Sequence, residues 1–249
     1  MKNPVQQSVY RKNIVISPSM CDASGNLGCA DVFTLFQDIA AQHAEEIGVG
    51  AAAMQEKEIF WLVTQTKLKF SAPIPMMASA ELSTWPVTSK SSDRRVFRCY
   101  SLSGENGIIC EGRTLWTILN MATGRLSTMG ESGFPEDFPF CPDEVVTEPF
   151  SRFHESFLPE EAVYTLTVRP SHTDFGGHMN NVSYVRILLD AFTNEELSGT
   201  QIREAEIRYA SSCFEGDVLT VYRRKLEDGW ILGVGRGKEK PAAFLKITG

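Results

Sequence analysis

Apolar and polar positions follow two different periods along this 249-residue chain. Val32, Leu35, Phe36, Ile39, Ala40, Ala44 and Ile47 recur at i, i+3, i+4 spacing, with His43 on the same stripe and Gly48 just beyond it. That spacing predicts a helix over 31–47 with one buried face, ended by a glycine past its last turn. His43 within the stripe reads as a core histidine with a hydrogen-bond partner rather than as a ligand. From Phe60 the period becomes two: Leu62, Thr64, Thr66, Leu68 and Phe70 share one face, and Gln65, Lys67 and Lys69 the other. This is the alternation of a strand. Further strand-like runs lie at 11–16, 80–85, 94–101 and 108–119, the last two joined by the turn 103–107 as in a hairpin.

Residues 121–161 break both periods. Pro135, Pro139, Pro142, Pro149 and Pro159 lie there among acids and glycines, so the segment reads as a linker. Strand signals return at 164–168, 206–209, 218–225, 230–234 and 242–247. Among them Val182, Val185, Leu188, Leu189 and Phe192 carry helical spacing, which predicts a second helix over 181–194 with Asn180 or Asn181 as its N-cap. The halves repeat. Pro18-Ser19, Asp22, Gly25 and Asp38 recur 152 positions on as Pro170-Ser171, Asp174, Gly177 and Asp190, and the two helices coincide at the same offset. The expected fold class is α+β: two modules of strand, turn, long helix and antiparallel strands at 1–130 and 161–249, with the linker at 131–160.

Hydrophobic content of 43% with 22% charged residues is that of a globular chain. A formal net charge of −7 argues against nucleic acid as the main partner, since phosphate binding needs a basic field. The first sixteen residues lack the apolar run of a signal peptide, and the apolar run 59–63 is far too short to span a bilayer. The six cysteines are scattered without a C-x-x-C pair, as expected of thiols in a reducing cytoplasm.

Candidate chemistry gathers at Asp174-Phe-Gly-Gly-His-Met-Asn-Asn181. An acid and an imidazole four residues apart bracket two glycines, and the asparagines lead into the second helix. The start of a helix offers unpaired N–H groups and a positive dipole end, which suits a carbonyl oxygen gaining negative charge. A Gly-rich turn with a cap accounts for the same residues. The aligned position in the first half is Asn26, so one copy alone has the acid–imidazole pair. Cys213 reads as a small buried hydrophobe in a strand before it reads as a nucleophile. No G-x-S-x-G or H-E-x-x-H occurs, so neither a nucleophile elbow nor a metal site is expected, and no cofactor is indicated.

Residues Asp174 to Tyr184 resemble the D-x-N-x-H-x-N-N-x-x-Y signature of acyl-acyl carrier protein (acyl-ACP) thioesterases, and Leu35 to Val49 with Phe60-Trp61-Leu62 resemble that family's first module. The resemblance covers roughly residues 10 to 235. It implies a tandem hot-dog fold, each long helix wrapped by an antiparallel sheet, with an acyl chain in an apolar tunnel and catalytic groups in the second module. It implies hydrolysis of acyl-ACP to free fatty acid, with Asp174 and His178 catalytic. Gly177, Asn180 and Asn181 would position substrate or oxyanion. The chain departs from the family at two catalytic positions: Gly176 stands where the family has asparagine, and Ser212 where it has glutamate. Two rivals to the hydrolase follow: a weakened hot-dog protein that binds acyl chains or acts on acyl-CoA, and a dehydratase of 3-hydroxyacyl thioesters. The implied partner is an acyl carrier protein, met by a local basic surface of Arg94, Arg95 and Arg223-Arg224-Lys225. A homodimer is compatible with the pattern.

Overall fold

The computed structural model describes residues 7–237 and 240–249. The first apolar stripe forms α1 (Cys29–Ile47), which ends at Gly48, where a φ of 88° turns the N–H back onto the carbonyls of Ala44 and Glu45. Glycine takes that left-handed conformation at little cost. A short helix, α2 (Ala51–Glu56), follows. The first half supplies β1 (Tyr10–Val15), β2 (Ile59–Phe70), β3 (Ser79–Pro86), β4 (Arg95–Gly104), β5 (Gly107–Asn120) and β6 (Arg125–Ser127). The second supplies β7 (Ala162–Thr167), α3 (Asn181–Leu189), α4 (Asn194–Ser198), β8 (Glu204–Tyr209), β9 (Val218–Lys225), β10 (Gly229–Gly235) and β11 (Ala243–Thr248). The second helix is shorter than the expected 181–194. Thr193 Oγ1 accepts the Glu196 N–H at 3.1 Å while the Glu196 carboxylate accepts the Thr193 N–H at 2.8 Å. This reciprocal cap starts α4 as a separate helix.

The strands form one 11-stranded sheet in the order β1-β3-β4-β5-β2-β8-β11-β10-β9-β7, with β6 on β5. Each half therefore has the same internal order, and the two hot-dog modules are fused along β2 and β8, where Gln65 to Lys69 pair antiparallel with Arg208 to Glu204. Alternate residues of the sheet face the helices. Leu68, Tyr100, Leu102, Ile207 and Leu245 join the core on that side, and Phe36 of α1 stacks on Tyr100 at 4.7 Å. Gly112 on β5 permits this approach, because a Cβ there would lie 2.6 Å from the Phe36 ring.

The Pro-rich segment is irregular in backbone, as a linker should be, but it acts as a cover. Phe134 and Phe138 are buried with Ile47, Met54 and Val96 at the end of α1. Further on, the segment crosses the outer face of the sheet. Lys67 donates to Pro149 O at 3.0 Å, and Ser151 gives its N–H and Oγ–H to Glu206 at 2.6 and 2.8 Å. Beneath them Lys67 and Glu206 pair across the module junction at 3.1 Å, their side chains 9% and 6% exposed. Among the described residues no helix is long and apolar enough to cross a membrane.

Candidate functional site

Asp174 to His178 forms a tight turn that leads toward the start of α3. The Asp174 N–H donates to His178 O at 2.9 Å, the Gly177 N–H to Asp174 O at 3.0 Å, and the Gly176 N–H to Asp174 Oδ1 at 2.9 Å. Gly177 has a φ of 74°, which is why a glycine stands there. Single antiparallel bridges tie Thr173 to Met179 and His178 to Phe214. Continuing the second of these places Ser212 opposite Asn180. Asn180 is the N-cap, its Oδ1 accepting the Val182 N–H at 2.8 Å.

Gly176 sits between the acid and the imidazole. A Cβ on it would lie 3.2 Å from Asp174 Oδ1 and 3.4 Å from His178 Nδ1, so the two groups flank one methyl-sized space open to solvent. The first module builds the same turn. There the Asp22 N–H donates to Asn26 O at 2.9 Å, the Gly25 N–H to Asp22 O at 3.0 Å, and the Ser24 N–H to Asp22 Oδ1 at 2.9 Å, with Gly25 at φ 77°. In that copy Ser24 fills the space: its Oγ–H donates to Asp22 and its oxygen accepts from Asn26 Nδ2 at 3.0 Å. The duplication thus extends to individual hydrogen bonds, and the copies differ in what stands between residue one and residue five of the turn.

Beside the catalytic-type turn lies an apolar cavity of about 220 Å³ under the C-terminal half of α1, lined by Ala40, Ala44, Met54, Trp61, Trp116 and Phe134. Phe175, 84% exposed, also borders it, so the second module's turn meets the first module's cavity. Trp116 is shared with a smaller space of about 20 Å³ that touches Asn181, Val182 and Tyr209 at the start of α3. A larger cleft of about 590 Å³ lies beside the Asp22 turn, but that turn has Asn26 in place of the imidazole.

The remaining expected residues take varied places. Ser212 is exposed, and its strand end is braced by Tyr184, whose hydroxyl accepts the Cys213 N–H at 2.8 Å. Tyr209 Oη donates to Asn181 O at 3.2 Å. Burial holds both phenols well above the usual range, so they stay protonated. Cys213 is 0% exposed, which suits the hydrophobe and not a nucleophile reached by substrate. The Gly177 N–H donates to Asp174 O at 3.0 Å, and among the described residues no hydrogen bond engages the Phe175 or His178 N–H of the turn. The basic cluster is largely neutralised: Arg223 pairs with Glu196 at 3.0 Å and Arg224 with Glu161 at 2.5 Å. β4 and β9 stand six strand steps apart in the sheet, about 29 Å, so Arg94-Arg95 and Arg223–225 do not form one patch.

The sequence pattern left one polar group of this region without a role. Arg98 on β4 lines the apolar cavity and donates to His43 Nδ1 at 3.0 Å and Thr84 Oγ1 at 3.3 Å. Its signal, a lone arginine on the inward register of a strand, appears only once the register with Thr114 is known.

Residues 7–133 match the model of the acyl-ACP thioesterase N-terminal domain, and residues 157–237 that of the C-terminal domain. A chloroplastic acyl-[acyl-carrier-protein] hydrolase of Cuphea viscosissima is 23% identical over 239 residues, 84% of this chain and 57% of the relative. A chloroplastic palmitoyl-acyl carrier protein thioesterase of Gossypium hirsutum is 23% identical over 85% of this chain and 54% of its own length. The chain thus spans little more than half the length of these relatives. Its fold is that of an acyl-ACP thioesterase from Bacteroides thetaiotaomicron (TM-score 0.85, 21% identity, 100% of this chain and 99% of the other). It is also that of the 12:0-ACP thioesterase from Umbellularia californica (TM-score 0.79, 19% identity, 98% of each chain). With family models matching in order across both repeated halves, the chain belongs to the acyl-ACP thioesterase family.

Proposed function

We propose that this protein hydrolyses acyl thioesters, releasing fatty acid from acyl carrier protein and so ending chain synthesis. The observation that carries the reading is the space at Gly176, flanked by Asp174 Oδ1 and His178 Nδ1 and adjoining an apolar cavity through Phe175. In this reading residues 1–130 hold the acyl chain, 131–160 brace the sheet, and 161–249 carry the chemistry. The thioester carbonyl lies beside His178, whose N–H stabilises the developing oxyanion. Asp174 takes a proton from water as that water attacks the carbonyl carbon, or attacks the carbon itself to form an anhydride that water then opens. His178 protonates the departing thiolate in either case. Asn180 holds the helix start, and Ser212 holds water without the charge a glutamate would bring.

Thiol release from acyl-ACP, followed with a thiol reagent, is expected to collapse in Asp174→Asn and in His178→Ala; full activity in both would dismiss the assignment. In labelled water, label in Asp174 after a single turnover marks direct attack with the anhydride opened at the Asp174 carbon, and label confined to the product acid marks attack of water on the acyl carbon. The carrier is inferred from what the relatives are called, and acyl-CoA is the alternative donor to compare. Both halves of the site lie in one chain, so a homodimer is not needed to complete it. A cytoplasmic setting fits Cys21, Cys29, Cys99, Cys110 and Cys141, which are thiols. A second reading, an acyl-binding protein without turnover, is favoured by one feature: neither Gly176 nor Ser212 supplies the family's side chain. It takes over if acyl chains bind and no thiol is released.

A further inference from the structure

The acyl cavity has one wall that does not suit a plain hydrocarbon. Arg98 is 8% exposed and lines the cavity, and among the described residues no carboxylate pairs with it. Its Nη1 is occupied by His43 Nδ1 at 3.0 Å and Thr84 Oγ1 at 3.3 Å, both neutral acceptors. His43 stays neutral because burial, and then the adjacent Arg98, pull its pKa down to about 4; its other nitrogen meets Gln7 O at 3.1 Å. Among the described residues no protein acceptor meets the Nε–H and Nη2–H donors of Arg98, which lines the cavity. A guanidinium is not deprotonated at ordinary pH, so a positive charge persists there.

Trp116 lines the same cavity with its ring, while its Nε1–H is buried beside the Tyr100 hydroxyl on the side of the smaller space. Val96 pairs with Trp116 and Arg98 with Thr114, so Arg98 and Trp116 are diagonal neighbours on adjacent strands and the indole packs beside the guanidinium's strand. β4, which carries Arg98, lies two strands in from β2, about 10 Å across the sheet, so the guanidinium sits away from the junction between the modules. Buried donors with no acceptor penalise an occupant that brings none and favour one that does.

We propose that Arg98 selects acyl thioesters whose chain carries an acceptor oxygen remote from the thioester: a hydroxyl, an oxo group or a terminal carboxylate. The inference rests on the hydrolase reading for its kinetic test but not for its binding test. Wild-type protein is assayed on thioesters of one chain length, plain or with the oxygen at successive positions from mid-chain to the end. At least one oxygenated chain is expected to exceed the plain chain about tenfold or more in kcat/KM, since a site built to hydrogen-bond its ligand rejects the analogue lacking the group. Arg98→Met is expected to bring that ratio toward one by slowing the oxygenated substrate far more than the plain one. A merely structural arginine would lower both alike. Should Arg98→Met fail to fold, the wild-type panel and Thr84→Val, which frees an Arg98 donor, still decide. If no thioester is cleaved, the hydrolase reading fails separately. Calorimetry of the free acids against their hydroxy, oxo and dicarboxylic analogues then tests the selection. Equal or better handling of the plain chain in these comparisons, or an unchanged ratio in Arg98→Met, overturns the proposal.

Discussion

Gly176→Asn places an amide in the space between Asp174 and His178. The backbone allows it, because Gly176, unlike Gly177 at φ 74°, is not in the left-handed region. The first side-chain carbon would meet Asp174 Oδ1 at 3.2 Å and His178 Nδ1 at 3.4 Å, both ends of side chains that can yield a few tenths of an ångström. The fold should therefore tolerate the change, and the less flexible unfolded chain offsets part of any strain by about 0.4–1 kcal/mol. A preorganised donor toward the reacting oxygen is worth about 10²–10³ in rate, roughly 2.7–4 kcal/mol. Steady-state thiol release should then show kcat and kcat/KM rising together, the pattern of a contact made in the transition state. Gly176→Ala fills the space without a donor and serves as the control; it should not gain. Adding Ser212→Glu should raise the rate again, since Ser212 stands opposite Asn180. The reasoning is refuted if Gly176→Asn matches Gly176→Ala, or if the natural protein already equals the double variant.

Three further outcomes are expected. His43 is 1% exposed with a pKa near 4 against about 6.5 when unfolded, so the unfolded chain binds the extra proton between those values. Its contribution is complete above about pH 6.5 and is lost as pH falls toward 4, by about 3 kcal/mol in all. Urea midpoints across that range should fall less steeply in His43→Gln, and parallel curves would contradict the account. Glu206→Gln leaves Lys67 buried beside a neutral group and should cost about 3–5 kcal/mol in urea unfolding at neutral pH; a change under 1 kcal/mol would show that Pro149 O alone suffices. Phe175→Ala removes an 84% exposed ring, so stability should stay within about 0.5 kcal/mol while KM for acyl thioesters rises; an unchanged KM would detach this ring from the cavity's entrance.

Much of the fold was legible in periodicity because each element buries one face. α1 carries its stripe over Val32 to Ile47 and stops at Gly48, and the strands alternate where one face meets the helices. The repeat was legible because Asp22, Gly25, Asp174 and Gly177 are required by the turn itself. What sequence did not show depends on contacts between distant segments. Phe134, Phe138, Phe153 and Phe157 follow no period, since they fit a surface made by others, and so a cover looked like a tether. α3 ended early because the local cap at Thr193 outcompeted an apolar stripe that runs on to Phe192. Asp174 and His178 stood out as candidates from their spacing alone, but the engagement of the Gly177 N–H needed the hydrogen bonds of the turn. Arg98 was invisible for the same reason: charge at an inward position means nothing until its neighbours are known.

The fusion of β2 with β8 also bears on how the protein avoids its own kind. An unpaired outer strand is a template for another chain, and the danger grows with its length and apolar character. Two separate modules would present four such rims, among them β2, which runs from Ile59 to Phe70 and carries Leu68 at 0% exposure. Joining the sheets hides β2 and β8 against each other, and leaves β1 and β7 as the outermost strands, each six residues long. Arg11, Lys12 and Asn13 are exposed on β1, which discourages addition there. Cut at the junction, the first half would expose the twelve-residue β2 as its margin, so that module is poorly suited to life apart and the tandem arrangement itself guards against aggregation.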